Sequence, residues 1–130
     1  MKLLLDTHFV YWWLSDSPKL GKHARATIET NECAASAVSL IESRIKTMTG
    51  RLTVPEPHII ESHLINDGIL MIPLSAAHVA QSVRFEHAHP DLYDRLLLGT
   101  AAAEGRILLT RDAALLALAK KARLGFVVEG

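Results

Sequence analysis

The sequence predicts an α/β chain of three layers, with a parallel sheet between two layers of helices. Three observations predict it. Short apolar runs such as "KLLLD" (2–6), "GILMIP" (68–73) and "RILLT" (106–110) lack the alternation of a strand wetted on one face. Strands buried on both faces read this way. Stretches with helical spacing separate the runs, and alternation of strand and helix builds a parallel sheet covered by helices. The length of 130 residues suits one domain, residues 1–130, able to bury roughly two-thirds of the surface its unfolded chain exposes.

Each element has a local reason. Residues 2–6 form the first strand, and a helix over 8–15 follows with Thr7 as a candidate cap. Lys19–Glu29 form a second helix after Pro18. "CAASAVS" (33–39) is small and β-tolerant, and leads into a helix with Val38, Ile41, Ile45 and Met48 as its apolar stripe and Gly50 as its stop. Glu56–Ile65 form a helix opened by Pro55 and Pro57. Ser75 caps a helix over 75–85, and 91–105 form another that ends at Gly105. The strand at 106–110 is followed by a helix over 112–125 and a last short strand, 126–128.

The bulk numbers exclude several classes. Of the residues, 49% are hydrophobic and 22% charged, an ordinary globular balance. Fourteen basic and fourteen acidic side chains cancel, so any contact with a polyanion must come from a local patch. Cys33 is the single cysteine and has no internal partner, which points to a reducing cytoplasm. Asp6 and His8 interrupt the apolar start, so it does not read as a secretory leader, and no segment is apolar enough to cross a bilayer. Phosphate loops, dinucleotide loops and serine-nucleophile elbows are absent. The seven histidines show no zinc spacing, and "HAH" at 87–89 reads as surface loop.

Four acids carry the chemistry. In open parallel sheets ligands sit beyond the carboxyl ends of the strands. Asp6 ends the first strand, and Asp112 follows "RILLT" by one residue, so both belong to the same edge. Glu42 falls on the flank of its helix's apolar stripe, partly turned toward the core. Asp94 lies in the first turn of its helix beside Leu97 and Leu98. Asp6, Asp91 and Asp112 also suit plain helix caps, and for Asp91 that reading is preferred. Gathered at one edge, such acids repel: two about 4 Å apart cost on the order of 4 kcal/mol at an effective dielectric near 20. Protonation relieves this, and so does a divalent cation; hard oxygen ligands suit Mg²⁺ or Mn²⁺.

The stretches "LLLDTHFVYWWL", "SAVSLIESRIKTMTGRL", "HPDLYDRLLLGTAAAEG" and "ILLTRD" resemble, in order and spacing, the PIN-domain proteins, and within them the VapC toxins of bacterial toxin–antitoxin pairs. The resemblance implies an α/β/α sandwich, typically with five parallel strands, and an acidic site binding Mg²⁺ or Mn²⁺. Asp6 then matches the first acid of the family, Glu42 the helix acid, Asp94 the acid of the "DR" element and Asp112 that of the "TRD" element, with Thr110 supporting. It implies a metal-dependent endoribonuclease cutting structured RNA such as tRNA or rRNA, a homodimer, and an antitoxin of the VapB kind lying over the pocket. Two departures are visible: Ile41 stands where Trp is frequent, and "HPDLYDR" replaces "HRDPFDR"; all four acids remain.

Around that site, Arg95, Arg111 and Arg106 are candidate phosphate contacts. Trp12 and Trp13 are candidates to stack a base, although Val10, Trp13 and Leu14 have the spacing of a core face or partner groove. Val10, Trp12 and Leu14 are candidate contacts for the antitoxin or a second copy. The competing readings are an RNA-processing nuclease outside any toxin pair, a non-catalytic binding module of the same fold, and a metal-dependent phosphatase, which lacks its usual DxD here.

Overall fold

The computed structural model describes residues 1–130. Five strands, β1 (Lys2–Leu5), β2 (Glu32–Ser36), β3 (Leu70–Ile72), β4 (Ile107–Thr110) and β5 (Val127–Glu129), pair in parallel in the order β3-β2-β1-β4-β5. Seven α-helices connect them: α1 (Thr7–Leu14), α2 (Gly21–Thr30), α3 (Ala37–Met48), α4 (Pro57–Asn66), α5 (Ala76–Ser82), α6 (Leu92–Glu104) and α7 (Ala113–Ala122). The predicted class is the observed one. No helix is long and apolar enough to cross a membrane.

The pleat divides the core in two. Leu3 and Leu5 face one side, where Phe9, Ile28, Ile60 and Leu64 from α1, α2 and α4, and Leu20 from the α1–α2 connection, pack on them. Leu4 faces the other, against Val38, Leu97, Leu98 and Leu115 from α3, α6 and α7. Burial of β1 on both faces is why its sequence does not alternate. Helices α5 and α6 approach closely at Gly99, where a Cβ would collide with the backbone of His78 and Ser82.

The chain leaves β1, runs outward through β2 and β3, and returns to β4 on β1's other side. The winding therefore reverses between β1 and β4, and the crevice past the carboxyl ends of those two strands is where such sheets hold ligands. Leu5 pairs with Leu109, so Asp6 and Thr110 emerge side by side.

Four boundaries differ from expectation for local reasons. Thr7 is the first helical residue and Asp6 the cap: the Asp6 carboxylate accepts the Thr7 N–H. Ser36, still in β2, caps α3 through the Val38 N–H. Helix α7 ends at Ala122, short of the expected 125, since Arg123 takes the left-handed conformation (φ 55°). Helix α5 gives way at Val83–Phe85 to a turn of 3-10 helix.

Candidate active site

Asp6 sits at the switch point, 4% exposed. Its Oδ1 accepts the Thr7 N–H (2.7 Å), and its Oδ2 accepts the Thr110 hydroxyl (2.6 Å). Burial raises its pKa; the two hydrogen bonds and His8 pull it down, and the Glu42 charge pushes it up. The Thr110 Oγ1 in turn accepts the Asp112 N–H at 3.0 Å, so one hydroxyl ties both strand-end acids together. Asp112 caps α7 through Oδ2, which accepts the Leu115 N–H at 2.9 Å. Capping leaves Asp112 free for a further ligand role, because a carboxylate that caps a helix keeps further lone pairs.

Asp94 arrives on the first turn of α6, and the preferred cap reading of Asp91 holds: its Oδ1 accepts the Asp94 N–H at 2.9 Å. The Asp94 pKa rises to about 6, chiefly through burial, with the charges of Asp91, Asp6 and Asp112 adding to it and a hydrogen bond from His89 opposing. That histidine escapes a sequence reading. His89 is 5% exposed, not surface loop, and its Nε2 lies 2.8 Å from Asp94 Oδ2. The available signal was its place five residues before Asp94, at the end of the connection into α6.

Glu42 arrives on α3 with the helix turned differently from expectation. Ile41, Ile45 and Met48 are 45%, 44% and 72% exposed, while Glu42, Ser39 and Ser43 are buried. Of the stripe taken for the core face, only Val38 is buried, and the other three residues point outward. A seam of hydroxyls holds α3 to α1: Thr7 Oγ1 and Ser39 Oγ lie 2.8 Å apart, and Tyr11 Oη hydrogen-bonds Ser43 Oγ. Helix α3 packs its polar side because α1 offers it polar partners. Glu42 Oε2 forms an ion pair with Lys46 one turn on, at 3.0 Å. Burial, with Glu42's charge adding, pushes the Tyr11 hydroxyl up to about 12, so it stays a neutral hydrogen-bonding group.

Asp6 therefore feels Glu42, and Asp94 feels Asp6 and Asp112. Yet no three Asp, Glu, His or Cys groups close on one point tightly enough to enclose an ion. The set does not fit an all-protein cage. It does fit a hydrated Mg²⁺-like ion, which binds through one or two carboxylates and keeps several waters.

The arginines are occupied elsewhere. Arg111 donates from Nε to Gly130 O (3.1 Å), from Nη1 to Lys19 O (2.7 Å) and from Nη2 to Leu20 O (2.9 Å), which staples the chain end and the α1–α2 connection. Arg95 donates to the carbonyls of His89 and Pro90. Arg106 is buried, bonded to Leu3 O and Glu32 at the opposite end of the sheet, too far from the acids to meet a phosphate there.

Two clefts flank α1. One, of about 260 Å³, is lined by Asp6, His8, Trp12, Arg111, Asp112 and Ala113. The other, of about 310 Å³, is mostly apolar and includes Tyr11, Leu14, Leu52, Val54 and Ile59. Val10 is in the core and meets neither partner nor solvent. Trp13 bonds Asp67 through Nε1 (2.9 Å) and lies under Arg25, away from the acids.

The PIN domain profile matches residues 3–121. This chain belongs to the PIN domain family. As a PIN domain it is 28% identical over 112 residues to Ribonuclease VapC22 of Mycobacterium tuberculosis (strain ATCC 25618 / H37Rv), covering 85% of this chain and 86% of that protein. Its fold is similar to VapBC2 from Rickettsia felis bound to a promoter DNA fragment (TM-score 0.64, 16% identity, 100% of this chain and 98% of the other). It is similar also to a toxin–antitoxin complex from Klebsiella pneumoniae (TM-score 0.64, 20% identity, 97% and 95%) and to DNA-bound VapBC from Salmonella typhimurium (TM-score 0.61, 13% identity, 100% and 97%).

Proposed function

We propose that this PIN domain is a divalent-metal-dependent endoribonuclease, the toxin of a VapBC-type pair, cleaving structured RNA such as tRNA or rRNA. The observation that supports the reading is that Asp6 and Asp112 line one cleft at the sheet's switch point, tied by Thr110, with Glu42 near enough for its charge to act on Asp6, and Asp94 near enough to be acted on by Asp6 and Asp112. A protein without use for them would not keep charges that destabilise one another. Likeness to Ribonuclease VapC22 and to VapBC complexes supports the substrate class and the antitoxin partner.

Asp6, Glu42, Asp94 and Asp112 are the residues that would hold Mg²⁺ or Mn²⁺. When bound, the cation offsets their charge, acidifies water and stabilises the negative charge that builds on a phosphodiester under attack. Thr110 fixes Asp6 and, through the Asp112 backbone, the start of α7. Asp94, with Oδ2 held by His89, or Glu42 would orient the attacking water or take its proton. Lys46 balances Glu42 while no other cation does. Attack by water instead of the ribose 2′-hydroxyl, with the 3′-oxygen as leaving group taking up a proton, leaves a 3′-hydroxyl and a 5′-phosphate. The exposed Ile41, Ile45 and Met48 supply apolar surface for a second copy or for the antitoxin.

The test is cleavage of total RNA by the purified protein with Mg²⁺ or Mn²⁺, followed by sequencing of the new 5′ ends. Defined cut sites bearing 5′-phosphates, abolished by EDTA, are expected. Undiminished cutting in EDTA overturns the metal-dependent mechanism.

A further inference from the structure

Beside the acids stands a feature the chemistry above does not use. His8 lies on the exposed side of α1 and Trp12 follows one turn later, half-buried. Their ring centroids are 5.7 Å apart at an interplanar angle of 33°. Both rings line the same cleft as Asp6 and Asp112. Trp12 is fixed from behind: Phe9 meets it edge-on at 5.6 Å, and the Arg111 guanidinium covers it at 5.2 Å. Since Arg111 is anchored on three carbonyls, it holds the indole in place and leaves the phosphate role to other groups.

A protein segment would choose differently. The apolar cleft on the other flank of α1, with Leu14, Val54 and Ile59, suits aliphatic side chains. The cleft beside the acids offers flat aromatic surface among carboxylates. With a divalent cation on those carboxylates, as the nuclease reading requires, a ligand that presents a planar ring next to a phosphate would fit both halves of it.

We propose that His8 and Trp12 form a stacking platform for one unpaired nucleobase of RNA next to the scissile phosphate. The inference rests on the nuclease reading and adds two substrate-binding residues to it; the base they take is unpaired, since a base paired in a helix cannot turn its face to a side chain. Pre-ordering of Trp12 by Phe9 and Arg111 lowers the entropy lost on stacking. Aromatic platforms tolerate any base, so the platform selects unpaired structure more than sequence.

The experiment uses a single-stranded RNA oligonucleotide containing a mapped cut site, and a copy with an abasic nucleotide beside that site. His8→Ala and Trp12→Leu are each expected to raise KM roughly 5- to 100-fold with kcat within about twofold of wild type, the range that loss of one stacked base gives. The abasic copy should lose the same factor on the wild type and nothing further on Trp12→Leu. Unchanged KM in both variants, or equal abasic losses in wild type and variant, overturns the platform. So does normal RNA cleavage with affinity lost only for a copurifying protein partner, which would make the cleft a protein contact. Exposed His8 keeps the test valid if Trp12→Leu fails to fold. A fluorescence titration separates this proposal from the nuclease reading. With Trp13→Phe as background, Trp12 is the sole indole, and the single strand should quench it where the duplex does not. If the wild type cuts no RNA with either metal, the nuclease reading fails, and quenching still supports or its absence overturns the platform.

Discussion

Helices α3 and α6 each bring one acid to the end of the sheet, and they do it by opposite packing. Helix α6 buries Leu97, Leu98 and Ala101 completely and lets Asp94 ride on its first turn, close to the strand ends. Helix α3 buries Ser39, Glu42 and Ser43 and leaves Ile41, Ile45 and Met48 outside. Its acid lies in mid-helix, so the surface packed inward must itself be polar. The hydroxyls of Thr7 and Tyr11 make that tolerable, because a buried polar group is costly only when unpartnered. The lesson is that an apolar stripe at helical spacing marks a contact without saying whether the contact lies inside the chain or with another molecule.

Five experiments break or sharpen this contrast. The largest effect is on activity. Asp6→Asn, which removes the acid that both helices serve, should lower RNA cleavage by roughly two to three orders of magnitude with an unchanged circular dichroism spectrum; near-normal cleavage would remove Asp6 from the site. Next is stability on the α6 side: Leu98→Ala should cost about 2–5 kcal/mol in urea unfolding, as for a fully buried leucine. On the α3 side, Ser43→Ala leaves the half-buried Tyr11 hydroxyl without its partner and should cost about 1–3 kcal/mol. Tyr11→Phe in the same chain should recover part of that loss, and no recovery would mean the seam is not what holds the helix.

The fourth concerns the two acids themselves. Asp94 has a folded-state pKa near 6, above its ordinary 3.8, so the folded chain holds a proton that the unfolded chain has already lost. Its stabilising contribution is present below about pH 4 and is lost as pH rises through 6. Asp94→Asn should therefore stabilise the metal-free protein at pH 7 by about 1–2 kcal/mol, allowing for solvent screening, and flatten the pH dependence between about pH 4 and 6. Mn²⁺ should do the same for the wild type at pH 7 and much less at pH 5, which a thermal melt reads. A steeper fall in stability in the variant would contradict the direction of the shift. Smallest of all, Ile45→Ala should change the stability of the dilute chain by less than about 0.5 kcal/mol. A loss above about 2 kcal/mol that grows with protein concentration would show the stripe covered by a second copy in solution.

Much of the candidate site was legible. The strands at 2–6 and 106–110 needed only their missing alternation, and Asp6 and Asp112 were candidates by the rule that ligands gather at the carboxyl ends. Asp94 followed from its place at the head of a strong helix. His89 did not, because nothing local distinguishes a histidine held against a carboxylate from one in solvent. Arg111 was misleading for the same reason: its neighbour in sequence is a site acid, yet its guanidinium is bound to carbonyls about ninety residues away in sequence. The rotation of α3 was hidden too, since the hydroxyls of Thr7 and Tyr11 that decide it lie 32 residues from Ser39 and Ser43.

By itself the sequence determined the alternation of strand and helix, the parallel sheet and the strand ends where acids stand, because these follow from local hydrophobic patterning and chain direction. Tertiary structure alone decided which face of α3 is inside, which histidine meets Asp94, and that Arg111 braces Trp12. Those depend on which distant partner satisfies each polar group, and the free energy of a buried hydrogen bond is set by a neighbour the chain supplies only once it has folded.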